Sequence, residues 1–407
     1  MRVGVDACCW TNSRGFGRFT RELLPVMAEL SPEDTFVLIA DQQAATRINT
    51  SHHNVDVVSV NLSAPPAEAA AAEGGRSIAD MLRLTRAVRA ARCDVFFFPS
   101  VYSFFPLMPG QRALLGIHDV IPDEFPHLCF PSARAHLNWK IKMRLALLQT
   151  RLILTVSKYA ADKIHQTLGV PRSRIRVVEE APASVFSPTA SASDIRAEAA
   201  RSRLPTGASW FLYVGGFSPH KRVDILVRAH AAIAASSEGE PPYLLLVGPT
   251  HGDVFYNNLS EIRSVIAECG TGNLVRWPGA VSDEELRLLY CGALALALPS
   301  ESEGFGLTAV EAAACGCPVV VTVESPLPEL LEGGGFFVRP GELGELTTAL
   351  ALLWRNERLR GSMGAQARER ASGLTWRRTA RHAIAALKEA AERVDFPSER
   401  GSSTPSA

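Results

Sequence analysis

Short apolar runs alternate along the chain with longer stretches in which apolar positions recur at helical spacing. In the first half the runs MRVGVDA, TFVLIA, VDVVSV, DVFFFP, ALLGIHD, LILTVS and RIRVVEE read as strands. Helices fit between them, including Gly17 to Glu29 and Arg134 to Gln149. The second half repeats the alternation with WFLYVGG, helix Val223 to Ala235, PYLLLVG, helix Asn257 to Glu268, LVRWPG, helix Asp283 to Tyr290, ALALALPS, helix Leu307 to Ala314 and PVVVT. Near-continuous apolar strands separated by helices are the signature of parallel sheets covered on both faces. Between the halves, Ala183 to Thr206 is weakly patterned and rich in Ala, Ser and Pro, which marks a domain boundary. The prediction is α/β, with two doubly wound Rossmann-like domains, residues 1–185 and 186–374, facing a central cleft. A last helix spans 375–394, the polar stretch 395–407 is expected to be disordered, and the low-complexity segment Ala64 to Gly75 reads as a loop.

Size and charge narrow the classes. A chain of 407 residues exceeds what one hydrophobic core usually serves, in keeping with two domains. The 42 basic residues balance 42 acidic ones, which argues against a protein that lives on nucleic acid. The balance is uneven: residues 1–190 hold 21 Lys/Arg against 17 Asp/Glu, a weak sign that the first half faces something anionic. The eight cysteines fit no zinc or thioredoxin spacing and read as reduced, buried thiols. The start MRVGVDACCW shows no leader pattern and no window reaches the ~18 apolar residues of a membrane span, so a soluble cytoplasmic protein is expected.

Ligands of doubly wound sheets bind beyond the carboxyl ends of the strands, where loops lead into helix N-termini. After ALALALPS, the segment ESEGFGLTAVEAAACG carries Glu303 and Glu311 eight positions apart around Gly304 and Gly306. The glycines let backbone approach a ligand, and the helix beginning at Leu307 offers free N–H groups suited to phosphate. Two carboxylates would repel phosphate but accept hydrogen bonds from hydroxyls beside it, so a nucleotide diphosphate sugar fits. Taken alone, the motif is better read as Glu311 capping the helix and Glu303 solvated. In YVGGFSPHKRVDIL, Lys221 lies at a second strand-to-helix turn, where an ammonium can neutralise a departing diphosphate; an ordinary surface Lys-Arg pair is the commoner alternative. His118 ends the strand in LLGIHDVIPDEF and is equally compatible with a sugar contact and with a structural role. Gly15 and Gly17 in NSRGFGRFTREL lack the full dinucleotide fingerprint and either shape a turn or admit a ligand to the backbone.

Together these segments resemble the family 4 retaining glycosyltransferases of the GT-B fold. The resemblance runs from GFGRFTREL through IHDVIP, VSKYAADKI, YVGGFSPHKRVDIL and GAVSDEELRLLY to PSESEGFGLTAVEAAACGCPVV, where Glu303 and Glu311 match the family's Glu-x7-Glu signature. It implies that Glu303 and His118 touch the donor sugar, Glu311 the ribose and Lys221 the diphosphate. It further implies donor contacts from Gly17, Gly216, Arg222, Gly304, Phe305, Gly306 and Leu307, and places Gly15 and Arg18 on the acceptor side. It also implies that the last helix, around Trp376, crosses back onto the first domain. Two positions depart from the family pattern: His220 stands where many relatives have Arg, and Glu179-Glu180-Ala181 replaces a Pro-Asn-Gly hinge loop.

The expected reaction is transfer of a sugar, with mannose favoured, from a nucleotide diphosphate sugar to a glycan or lipid-linked acceptor in cell-surface polysaccharide synthesis. Configuration is retained by front-face attack, and no cofactor or metal is expected. The alternatives are a non-catalytic GT-B partner subunit and a GT-B sugar-nucleotide epimerase or phosphorylase. SARAHLNWKIKMRLALLQTRL places Lys140, Arg144 and Arg151 on one stripe and Leu137, Ile141, Leu145 and Leu148 on its neighbour. We read it as a solvated face over a packed helix, with peripheral contact to an anionic membrane as the alternative.

Overall fold

The structure, a computed structural model, describes residues 1–12, 15–49, 51–63, 77–189, 191–251 and 256–392. The predicted loop Ala64 to Gly75 and the 395–407 tail lie outside these residues. Two parallel sheets carry the chain. The first has seven strands in the order β3-β2-β1-β4-β5-β6-β7: β1 Arg2–Asp6, β2 Thr35–Asp41, β3 Val55–Val60, β4 Val95–Phe98, β5 Ala113–Gly116, β6 Leu152–Thr155 and β7 Ile175–Val177. The second has six, β10-β9-β8-β11-β12-β13: β8 Trp210–Val214, β9 Tyr243–Val247, β10 Val275–Gly279, β11 Ala295–Leu298, β12 Val319–Thr322 and β13 Gly335–Val338. Central strands are buried on both faces, as in VFFF of β4 and ALAL of β11, which is why they read as unbroken apolar runs.

Each sheet reverses direction of strand addition at one place, β1 beside β4 and β8 beside β11. Crevices open at these switch points, and there the segments with candidate chemistry emerge. One apolar cluster fills one face of the first sheet and runs on through the second half. A separate cluster, with Phe96, Phe98, Trp139, Met143 and Ile164, fills the other face of the first sheet.

Helix Trp376–Ala391 belongs in sequence to the second half, yet it packs on helix Gly15–Leu30 and on β4, β5 and β6. Its buried face carries Trp376, Ala380, Ala383, Ile384 and Leu387. Thr375 caps it by accepting from the Arg378 N–H at 3.3 Å, so the expected helix start is its cap.

Several expectations change. The first helix begins at Gly15, so Gly15 and Gly17 belong to its first turn rather than to a preceding loop. Helix Ala192–Arg201 occupies the weakly patterned boundary segment and packs on helix Asp283–Gly292; its small alanines hide the period that larger apolar residues would show. All eight cysteines are free, but only Cys8, Cys9, Cys315 and Cys317 are buried, the others being half-buried. Among the described residues no helix is long and apolar enough to cross a membrane.

Candidate active site

β11 ends at Leu298 and the loop Pro299–Gly306 leads into helix Leu307–Ala314. Gly304 touches the first half directly. A Cβ built on it would lie 2.1 Å from the His118 carbonyl oxygen, so no other residue fits without moving the two halves apart. Ser157 Oγ donates to the Gly304 carbonyl at 2.6 Å, and Tyr159 OH lies 3.2 Å from Ser302 Oγ. Gly306 has φ 84° and opens the helix with no side chain capping it. Apart from the Ala309 N–H, which donates to the Gly306 carbonyl at 2.9 Å, its first-turn N–H groups are left for whatever enters the cleft.

Lys221 ends the single 3-10 turn Pro219–Lys221 after β8. Its Nζ donates to both carboxylate oxygens of Glu303, at 2.8 and 3.0 Å, and Ser300 Oγ donates to Glu303 Oε1 at 2.6 Å. The His220 carbonyl accepts from the Glu301 N–H at 2.8 Å, tying the turn after β8 to the loop after β11. A cavity of about 260 Å³ lies between these loops and the first half. Lys221, Glu303, Gly304, Phe305, Gly306 and Leu307 form one wall; Gly15, Phe16, Tyr102, His118, Asp119 and Trp139 contribute to the other.

His118 is held at both ring nitrogens. Nε2 is 2.9 Å from the Pro99 carbonyl, which can only accept, so Nε2 carries a proton. Nδ1 is 3.4 Å from Glu180 Oε1, an ion-pair contact, since that buried oxygen has no hydrogen-bond partner. Burial pushes the imidazole pKa down, but Glu180, helped by the Pro99 carbonyl and Asp119, more than offsets this and holds it above the ordinary value. Burial pushes Asp119 up; its Oδ1 accepts from the Ile121 N–H at 3.0 Å.

Five expected site residues are placed differently from the rest. Arg18 reaches across to the second half: its Nη1 donates to Asp283 at 2.9 Å and its Nε lies 3.2 Å from Glu311 Oε1. Glu311 is 1 % exposed, and burial pushes its carboxyl up to about 8 against the opposing pull of Arg18. Its Oε1 makes no hydrogen bond. Arg222 pairs with Glu301 and Asp224 instead of entering the cavity. Gly17 is buried against the Asn12 carbonyl, and Gly216 accepts from the Tyr213 hydroxyl behind the cleft. Sequence reasoning missed the pairing of Glu180 with His118 and the reach of Arg18 to Asp283. The position of Glu180 just past β7, at a strand's carboxyl end, was the available signal; Asp283 offered none beyond an acidic helix start. Among the described residues no group of three or more His, Cys, Asp or Glu could hold a metal ion.

A two-sheet fold with a cleft between switch points defines the GT-B class of glycosyltransferase, and solved structures match it along nearly the whole chain. The sucrose-phosphate synthase of Thermosynechococcus elongatus superposes with a TM-score of 0.72 at 19% identity, covering 95% of this chain and 98% of that one. Anabaena HepE, in complex with UDP and glucose, gives 0.70 at 19% identity over 95% and 99%. The family model for glycosyl transferases group 1 matches residues 194–370, and that for glycosyltransferase family 4 matches 34–180. The chain belongs to this family 4, group 1 glycosyltransferase family. Among curated proteins, the O-antigen chain mannosyltransferase B of Escherichia coli is 27% identical over 68% of this chain and 70% of its own length. The D-inositol 3-phosphate glycosyltransferase of Nocardia farcinica is 34% identical over 54% of this chain; the match spans 48% of that enzyme.

Proposed function

We propose that the protein transfers a sugar, mannose in our assignment, from a nucleotide diphosphate sugar to a glycan or lipid-linked acceptor in cell-surface polysaccharide assembly, with retention of configuration. The observation that carries this reading is the convergence, in one cleft, of the Lys221 ammonium and the uncapped N-terminus of helix Leu307–Ala314, opposite His118. A cation and fixed N–H dipoles at one point suit charge that builds on a leaving diphosphate. In this reaction the bond from the anomeric carbon to the diphosphate breaks and the acceptor oxygen bonds the same face. The acceptor's proton passes to the departing diphosphate oxygen. Glu303, held by Lys221 and Ser300, accepts from sugar hydroxyls, and His118 faces the same sugar from the first half. Glu311, whose Oε1 is ion-paired with Arg18 but makes no hydrogen bond, is assigned to accept from a ribose hydroxyl. Lys221 and backbone N–H groups meet the diphosphate charge, so we assign a metal-independent reaction with no cofactor.

Mannose rests on the similarity to the E. coli mannosyltransferase. We assign residues 1–185, with helix 375–394, to the acceptor side and 186–374 to the donor side, and place the protein at the cytoplasmic face where such donors are made. Differential scanning fluorimetry against GDP, UDP, ADP and their sugars tests the donor site. One nucleotide should stabilise the protein by ~2.7 kcal/mol at a hundredfold excess over Kd, and Lys221→Ala and Glu311→Ala should abolish the shift. No shift with any nucleotide would overturn the reading.

A further inference from the structure

Five rings run in contact along the first-half wall of the cleft and out toward solvent. Phe16, in the first turn of helix Gly15–Leu30, stacks on Tyr102, and Tyr102 lies 5.2 Å from Trp139. Trp139 meets Phe130 at 6.1 Å, and Phe130 stacks on His136 with ring centres 5.3 Å apart and planes 16° from parallel. The first four line the cavity, and His136 continues the row past its lining. Phe16 and Trp139 are buried, Tyr102, Phe130 and His136 half-buried, and Asn138 at the rim is exposed, so the row passes from interior to surface.

Helix Ala133–Gln149 holds the middle of this row. It turns Ala135, Trp139, Met143 and Ala146 inward, whereas Leu137, Ile141, Leu145 and Leu148, the stripe that periodicity assigned to packing, face outward at 57, 51, 44 and 75 % exposure. His136 and Trp139 are three positions apart, share a face, and so reach the same Phe130 ring. The Trp139 indole N–H donates to both oxygens of Asp123 at 3.1 Å, and Lys142 Nζ donates to the Tyr102 carbonyl at 3.3 Å. Rings braced in this way hold their shape without a ligand, so binding costs little side-chain freedom.

A sugar ring offers a face of C–H groups with hydroxyls around its edge. Aromatic side chains suit that face, and a few polar groups beside them suit the hydroxyls. Asn138 and Lys142 supply such groups along the row. A diphosphate finds its charge partner on the opposite wall, at Lys221. Four steps of 5.2 to 6.1 Å carry the row beyond the width of one sugar.

We propose that the row is a track for a glycan chain of at least three sugars, with the reacting sugar at Phe16 and Tyr102 and the preceding ones along Trp139, Phe130 and His136. The inference rests on the transferase reading and deepens it, by making the glycan the part of the acceptor that the protein recognises. Phe130 and His136 are then the residues that set preference for chain length.

Isothermal titration calorimetry of the full chain with manno-oligosaccharides and, in parallel, gluco-oligosaccharides of one to five units tests the track. In at least one series affinity should rise about three- to tenfold with each sugar up to the third and then level off. Phe130→Ala and, separately, His136→Ala should flatten that rise, leaving longer probes no tighter than the two-sugar one. His136 is half-buried at the surface, so its variant should keep the wild-type melting temperature. A rise with length that these variants flatten supports the proposal. Affinity independent of length in both series, or no binding of any probe, overturns it, and a rise that both variants keep overturns the assignment to these rings. A rise with length in a protein that no nucleotide stabilises would leave the track standing and strike the transferase reading alone.

Discussion

At the β8/β11 switch point the cleft wall is built from backbone and charge: Lys221 on Glu303, the Gly304 contact and an uncapped helix start. At the β1/β4 switch point the wall is aromatic. Phe16 stacks on Tyr102 with ring centres 5.5 Å apart, and Tyr102 lies 5.2 Å from Trp139. The sheets share an order about their central crossover, so architecture does not account for the contrast. It sets where loops meet, and the loop residues set the chemistry. Fixed dipoles and a cation suit a diphosphate whose charge rises as it leaves, whereas ring faces suit the apolar face of a sugar that changes little during reaction.

The largest expected effect separates the two walls kinetically. Lys221→Ala should lower kcat by about 10²- to 10³-fold with acceptor KM nearly unchanged. Tyr102→Ala should chiefly raise acceptor KM. Steady-state kinetics that moved the same parameter in both variants would erase the distinction.

A smaller effect concerns the carboxylate buried behind the charged wall. Because Glu311 is pushed up from 4.5 to about 8, the folded protein holds its proton where the unfolded chain has lost it. The stability this gives is complete below about pH 4.5 and is lost as pH rises through about 8. Glu311→Gln removes that dependence, so its melting temperature relative to wild type should climb between pH 5 and pH 9, ending about 2–4 °C higher per kcal/mol regained. A difference independent of pH would mean that Arg18 keeps Glu311 ionised throughout.

The smallest belongs to the first-half wall. With its pKa held above the usual 6.5, His118 contributes stability that is fully present below 6.5 and fades as pH rises through its folded value. Glu180→Gln removes the largest upward influence, so the variant should be less stable than wild type in mildly acidic solution, with the gap closing at higher pH. NMR titration of the imidazole should show a lowered pKa; an unmoved titration would assign the elevation to the Pro99 carbonyl and Asp119 instead.

Much of the cleft could be read from residues near one another in the chain. The glycines at 304 and 306, the glutamate before them and the lysine at the turn after β8 announce themselves, because strand, glycine turn and helix start are local backbone chemistry. The partners of these residues were harder to see. Arg18 meets Asp283 across 265 positions, and Glu180, read in the sequence as a departure from a hinge pattern, is the counter-ion of His118.

The strand runs, their parallel arrangement and the placing of candidate chemistry at strand ends are all encoded in short stretches, since burial on both faces and turns that need glycine leave a pattern a few residues long. Which distant charges pair, and which apolar stripe of helix Ala133–Gln149 is covered, followed only from the assembled fold. Both depend on which surfaces lose water against each other: Glu311 is raised because packing buries it away from solvent, with Asp283 adding to the rise and Arg18 opposing it. The leucine stripe stays outside because Trp139 and Met143 already fill the space against the sheet. Desolvation is a property of the packed pair, and no single segment carries it.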